Sequence, residues 1–261
     1  MKYTRQGISL EYDDIGNGLP LLLIHGFPFD RTSWRPQLAE LQTICRVIAP
    51  DLRGFGGSSD TDGKSVSMDL YAEDCRALLD SLNVQPVVVG GLSMGGYIAL
   101  AFVAQYPDRV KGLILANTRA TADSEAGRQG RFDTAQKVRE SGTQVVVDAL
   151  ASKMLGPNAK PEVAVSVRDM MARQRPPGVI SALLGMAARP DRSELLPGID
   201  VPTLIISSPT DAVIPLSDSE AMQRTIPNSQ LVSIPRAGHL SSLDKPEAFN
   251  AAVREFVSAL P

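Results

Sequence analysis

The 261-residue sequence predicts an α/β fold, a mostly parallel eight-stranded sheet flanked by helices. Three observations carry that expectation. Strands show as short continuous apolar runs, the pattern of a parallel sheet covered on both faces. Helical periodicity fills the intervals between the later runs, and such alternation implies right-handed crossovers. One interval, Thr118–Asp200, is about 80 residues of helical pattern without a strand, far longer than an ordinary connection.

The segments Tyr3–Gln6 and Ser9–Tyr12 flank Gly7 and read as an antiparallel hairpin, closed off by Gly16-Asn17-Gly18. Six buried runs follow: Leu19–Ile24, Arg46–Ala49, Val87–Gly90, Gly112–Ala116, Thr203–Ser207 and Gln230–Ile234. From Met68 to Leu82, the residues Met68, Tyr71, Cys75, Leu78, Leu79 and Leu82 share one helical stripe. Ser67 is placed as its N-cap and Asp69 lies in its first turn. Tyr97–Ala104 is apolar on every side, as a buried helix is. Gly156-Pro157, Lys160-Pro161 and Pro176-Pro177-Gly178 divide the long insertion into short helices. Such an insertion either decorates the sheet or covers a pocket, and its length favours the lid. The expected organisation is therefore a core of residues 1–117 and 201–261 with a helical cap, 118–200, inserted after the sixth strand. The last helix opens at Asp244-Lys245-Pro246-Glu247, a capping-box-like start with Pro in the first turn, and Phe249, Val253, Phe256 and Val257 form its apolar face.

Composition narrows the function classes. Apolar residues at 43% and charged residues at 21% exclude a disordered, collagen-like or coiled-coil chain. Lys and Arg number 26 against 29 Asp and Glu, a net charge of −3, so no basic surplus points to nucleic acid or an anionic membrane. Cys45 and Cys75 are too few for a disulfide scaffold and fit a reducing compartment. Lys2, Arg5, Glu11, Asp13 and Asp14 leave no room for an apolar signal segment. The charge-free stretch Ser81–Pro107 is long enough to span a bilayer, but Pro86 and the glycines between Gly90 and Gly96 interrupt it. A strand, a tight turn and a helix explain it better, and the expectation is a soluble, cytoplasmic chain. The only histidines, His25 and His239, exclude a His-rich metal site and leave two candidates for a histidine base.

Gly91-Leu92-Ser93-Met94-Gly95 fits G-x-S-x-G, and it lies between an apolar strand and a buried helix. That strand–turn–helix is what a nucleophile elbow requires, since the serine sits on a strained turn with its hydroxyl clear of the sheet. A serine hydroxyl needs a base. In this arrangement the order is Ser, acid, His, and only His239 follows Ser93. It lies just after the strand Gln230–Ile234, where sites of open α/β sheets form. The acid belongs on the loop after Thr203–Ser207, where Asp211 is the only carboxylate before Asp218. Asp211 would fix the tautomer of the histidine, and Asp218 is better explained by a helix start. An oxyanion hole needs two donors. The N–H groups of Met94 and Phe27 are the candidates, since Pro28 has none. His25, at a strand end beside Gly26, is more simply a support for that loop.

Together these residues resemble the α/β-hydrolase superfamily. The resemblance rests on His25-Gly26-Phe27-Pro28, Asp51-Leu52-Arg53-Gly54-Phe55-Gly56-Gly57-Ser58, Gly91-Leu92-Ser93-Met94-Gly95-Gly96, Asp211 and Gly238-His239. Within it the chain looks similar to small carboxylesterases, 3-oxoadipate enol-lactonases and cofactor-free haloperoxidase (perhydrolase)-type esterases, which share a compact helical cap. The resemblance implies acyl transfer through an acyl-enzyme on Ser93, with no metal or organic cofactor. It also implies that Asp51–Ser58 shapes the sheet edge near the pocket, with Arg53 structural. Haloalkane dehalogenases and epoxide hydrolases of this fold use an aspartate nucleophile, where this chain has Ser93. Cap tyrosines that activate an epoxide are missing too, because Phe132 is the only aromatic between Tyr106 and Phe249.

The residues expected to line the substrate pocket are Pro28, Leu92, Phe132, Met154 and Leu184. With Met170, Met171, Leu183 and Met186, the cap suggests an apolar, adaptable lining that prefers short to medium neutral acyl esters to charged ones. Pro28 either only rigidifies its loop or, as the resemblance to perhydrolase-type members implies, also lets hydrogen peroxide accept the acyl group. The leading expectation is hydrolysis of small carboxylic esters. Enol-lactone opening or C–C bond hydrolysis by the same residues is the alternative among enzymes. A small-molecule receptor on the same fold is the alternative from another class.

Overall fold

The computed structural model describes residues 1–261. The chain begins with β1 (Lys2–Arg5) and β2 (Ile8–Ile15), an antiparallel pair turning at Gln6 and Gly7, whose φ values of 50° and 81° belong to the left-handed region. β3 (Pro20–Ile24), β4 (Arg46–Pro50), β5 (Val87–Leu92), β6 (Val110–Ala116), β7 (Thr203–Ser207) and β8 (Ser229–Ser233) run parallel to one another. The sheet order is β1-β2-β4-β3-β5-β6-β7-β8. Central strands are buried throughout, with every residue of β5 and of β7 shielded from solvent. That explains their unbroken apolar runs.

Helices α1 (Arg35–Leu41), α2 (Met68–Ser81), α3 (Met94–Gln105), α8 (Leu216–Thr225) and α10 (Pro246–Ser258) flank the sheet, and the single turn α9 (Ser241–Asp244) precedes the last. α2 starts where Ser67 Oγ accepts the Leu70 N–H at 3.1 Å. α3 buries ten consecutive residues, Met94–Val103, so it has no polar face. α10 buries Phe249, Val253, Phe256 and Val257, each worth about 1.5–3 kcal/mol of transfer free energy. Its start differs from expectation. Lys245 is the N-cap and makes no side-chain bond, while the Asp244 carboxylate turns toward the loops that carry the site. Cys45 and Cys75 are buried free thiols. No helix is long and apolar enough to cross a membrane.

Between β6 and β7 the chain leaves the sheet for α4 (Glu125–Ser141), α5 (Gln144–Leu150), α6 (Pro161–Ala172) and α7 (Pro176–Ala187), with α4 packed along α7. Arg173 and Gln174, at the end of α6, clasp the buried Asp30 carboxylate of the core at 2.7–2.9 Å. Burial would raise the pKa of Asp30, but the hydrogen bonds from Thr32, Arg173 and Gln174 outweigh it and hold the carboxyl below its ordinary value. Gly178 of α7 lies flat on the Gly54 backbone, where a Cβ would overlap the Gly54 carbonyl. These contacts seat the helical segment on the loops that follow β3 and β4.

Candidate active site

β5 ends at Leu92, and Ser93 turns the chain into α3 with φ 57° and ψ −116°. A non-glycine residue held there costs about 1–3 kcal/mol, so its surroundings must enforce the turn. The Ser93 N–H donates to the Ala116 carbonyl at 2.9 Å, and the Ser93 carbonyl accepts from Thr118 Oγ1 at 2.8 Å. Space is the other constraint. A Cβ on Gly91 would overlap the Gly95 carbonyl, one on Gly95 the Ile24 carbonyl, and one on Gly96 the Thr118 side chain. Glycine at all three positions lets strand, turn and helix pass this closely.

Ser93 Oγ lies 2.8 Å from His239 Nε2, and His239 Nδ1 lies 2.9 and 3.1 Å from the two oxygens of Asp211. The ring and the carboxylate are both shielded from solvent. Asp211 Oδ1 also accepts the N–H groups of Val213 at 2.7 Å and Ile214 at 3.0 Å, and Oδ2 accepts Asn117 Nδ2 at 2.9 Å. Burial pushes the Asp211 pKa up, but the hydrogen bond and charge of His239, with Ile214 and Asn117, prevail and hold it below its ordinary value. An ionised Asp211 has only acceptors to offer, so His239 Nδ1 carries the proton and Nε2 presents its lone pair to the Ser93 hydroxyl.

Several supports of this row carry no motif. Asn117 directly follows β6 and accepts from Ser241 Oγ at 2.5 Å while donating to Asp211. Asp244 Oδ2 accepts the N–H groups of Gly156 and Gly238, both at 2.7 Å, tying the helical segment to the residue before His239. Leu240 N–H donates to the Met154 carbonyl at 2.8 Å and adds a second tie. The position of Asn117 at the C-terminal end of a parallel strand was the one available signal for it. Asp244 gave none, since an acid before Lys-Pro-Glu looks like a helix cap.

Neither Phe27 N–H nor Met94 N–H, the first of α3, donates to a protein acceptor in a turn or cap, and both residues are buried. The loop bearing Phe27 is held by His25, whose Nε2 accepts the Leu52 N–H at 3.1 Å while Nδ1–H donates to the Gly26 carbonyl at 2.9 Å. Burial lowers the pKa of His25, keeping the ring neutral with one donor and one acceptor. His25 is thus a strut and not a second base. Arg53 likewise pairs with Asp74 through two 2.5 Å bonds, and Asp218 sits in the first turn of α8.

A cavity of about 260 Å³ opens over Ser93 and His239, with Phe27 in its wall. Of the expected pocket residues, Met154 lines it, and Pro28, Leu92, Phe132 and Leu184 do not. Gly127, Gly130, Arg131 and Thr134 present one face of α4 to the cavity, and Phe132 lies off that face, 36% exposed beneath Arg128. Leu183 and Met186 line it from α7, whereas Leu184, about 100° further round the helix, does not. Leu92 packs against Gly26 beneath the loop, and Pro28 is buried behind Phe27. Met170 and Met171 are buried but make no part of the wall. Nor is the lining wholly apolar, for Arg119 and Arg131 belong to it.

A thermophilic esterase from Thermogutta terrifontis, solved with malate bound, is 43% identical and superposes with a TM-score of 0.94 over 98% of this chain and 96% of its own. The enol-lactonase from Burkholderia xenovorans LB400 is 27% identical with a TM-score of 0.91, covering 99% of this chain and 100% of its own. The 2-hydroxy-6-oxo-2,4-heptadienoate hydrolase of Pseudomonas putida F1 is 28% identical over 97% of this chain and 94% of its own. The family model for the alpha/beta hydrolase fold matches residues 20–246. With that match spanning most of the chain, from β3 into α10, the protein belongs to the α/β-hydrolase family.

Proposed function

We propose that the protein hydrolyses small carboxylic esters through an acyl-enzyme on Ser93. The observation that carries this reading is the row Ser93 Oγ–His239 Nε2–Asp211, joined at 2.8 and 2.9 Å, with Ser93 and His239 lining a cavity whose wall includes Phe27. His239 Nε2 takes the hydroxyl proton as Ser93 Oγ attacks the ester carbonyl, and Asp211 stabilises the imidazolium that forms. The N–H groups of Phe27 and Met94 receive the oxyanion. The C–O bond to the alcohol then breaks, and His239 hands its proton to the departing alkoxide. Water, deprotonated by His239, attacks the acyl carbon and releases the acid and Ser93. Residues 118–200 act as the cap that walls the substrate in. The similarity to an esterase at 43% identity supports this chemistry, and the enol-lactonase is consistent with it, a lactone being a cyclic ester. The buried free thiols fit action in the reducing cytoplasm.

Stopped-flow kinetics with p-nitrophenyl acetate and butyrate test the reading. The expected result is many turnovers per active site. A single slow release of p-nitrophenol, one equivalent per protein, would instead indicate a receptor that acylates without turning over.

A further inference from the structure

Two guanidinium groups face the same cavity as Ser93 and His239, and no Asp or Glu lines it. Arg119 comes from the chain just beyond β6, and Arg131 from the cavity face of α4. Both reach Asp123, which is itself 3% exposed at the side chain and is also held by Arg189 at 2.9 Å. One carboxylate is therefore shared among three guanidinium groups. Burial would raise the pKa of Asp123, but the hydrogen bonds and charges of Arg131 and Arg189 overcome it and keep the carboxyl well below the usual carboxylate range. Arg189 does not line the cavity and lies 4.1 Å from the centre of the Tyr97 ring. The other nearby acid, Asp218, lies 3.9 Å from Arg119, too far for a hydrogen bond.

The two cavity arginines also keep donors in reserve. Arg119 directs Nη2 to Asp123 at 2.8 Å, and its Nη1 has no acceptor within hydrogen-bond distance. Arg131 uses Nε and Nη2 on Asp123, and the contact of its Nη1 is the Met186 sulfur at 3.4 Å, a weak acceptor. A planar guanidinium with free N–H groups in a half-buried wall is suited to a carboxylate.

We propose that the site selects esters that carry a carboxylate of their own, the hemiesters of small dicarboxylic acids, with that carboxylate held by Arg119 and Arg131. This rests on the esterase reading above and sets its substrate class, against the neutral preference that the apolar cap residues suggest. For monomethyl succinate the balanced reaction adds water, breaks the acyl–oxygen bond and yields succinate, methanol and a proton. The arginines make no bond to the reacting atoms; they fix the far end of the substrate so that its ester carbonyl lies at Ser93.

The test compares kcat/KM for monomethyl succinate with that for methyl 4-methylpentanoate, its neutral counterpart of similar shape. The hemiester is expected to be preferred by about tenfold or more, the size of a charge-assisted hydrogen bond, mainly through a lower KM. Added salt should erode the preference, because the arginines are partly exposed. Arg119→Gln and Arg131→Gln should each collapse the ratio of the two substrates, whereas Arg131→Lys, which keeps the charge beside Asp123 but not the planar fork, should retain part of it. A wild-type ratio near one, or a ratio that the Gln variants leave unchanged, overturns this assignment while leaving a Ser93-dependent esterase standing. Absence of turnover with both esters and with p-nitrophenyl butyrate overturns the esterase reading itself.

Discussion

Ser93→Ala is expected to lower kcat for p-nitrophenyl butyrate by on the order of 10⁶-fold, the typical cost of removing the nucleophile from such a unit. The fold should survive, because the elbow is enforced by backbone bonds to Ala116 and Thr118 and by the glycines around it, none of which needs Oγ. The variant loses one hydrogen bond, to His239, worth about 1 kcal/mol. Thermal denaturation and substrate turnover measured on the same preparation separate the two effects. A loss of only a few-fold in kcat would remove Ser93 from the role of nucleophile.

Asp211→Asn should cost about 10⁴-fold in kcat, for a reason visible in the bonding around the carboxylate. Four donors converge on Asp211: the N–H groups of Val213 and Ile214, Asn117 Nδ2 and His239 Nδ1. An asparagine amide matches the backbone donors with its oxygen only by turning its NH₂ toward the histidine. Nδ1 must then become the acceptor, so the proton moves to Nε2 and the lone pair facing Ser93 is lost. The wrong tautomer, and not a displaced ring, is the predicted defect. A variant that retains more than about a tenth of wild-type kcat would argue against an orienting role, given the usual size of the effect.

The parts of this molecule that were legible in its sequence are those set by local pattern. Buried parallel strands announce themselves as unbroken apolar runs, and Ser93 stands between one such run and an all-apolar helix. His239 and Asp211 were found by counting: one histidine remains after Ser93, and one acid lies on the loop after the strand Thr203–Ser207. The pocket was not legible in the same way. Whether Leu183 or Leu184 meets the cavity depends on a rotation of about 100° about α7, which its packing against α4 and the Gly54 backbone decides. Arg119 and Arg131 look like surface charges until Asp123 gathers them at the cavity wall. Asp244 reads as a helix cap, and its carboxylate instead joins Gly156 to Gly238, residues far apart in the chain. α1 is short and bears little periodicity, so nothing in the pattern marked it.

Catalysis by Ser93 requires a covalent acyl intermediate, which rapid acid quenching of the wild-type protein during turnover of p-nitrophenyl acetate should trap. Peptide mass spectrometry of the quenched protein should find one acetyl group on the peptide that contains Ser93, and none on the same peptide from Ser93→Ala. Turnover at the wild-type rate with no acyl group on Ser93, or with the acyl group on another residue, would rule out Ser93 as the nucleophile.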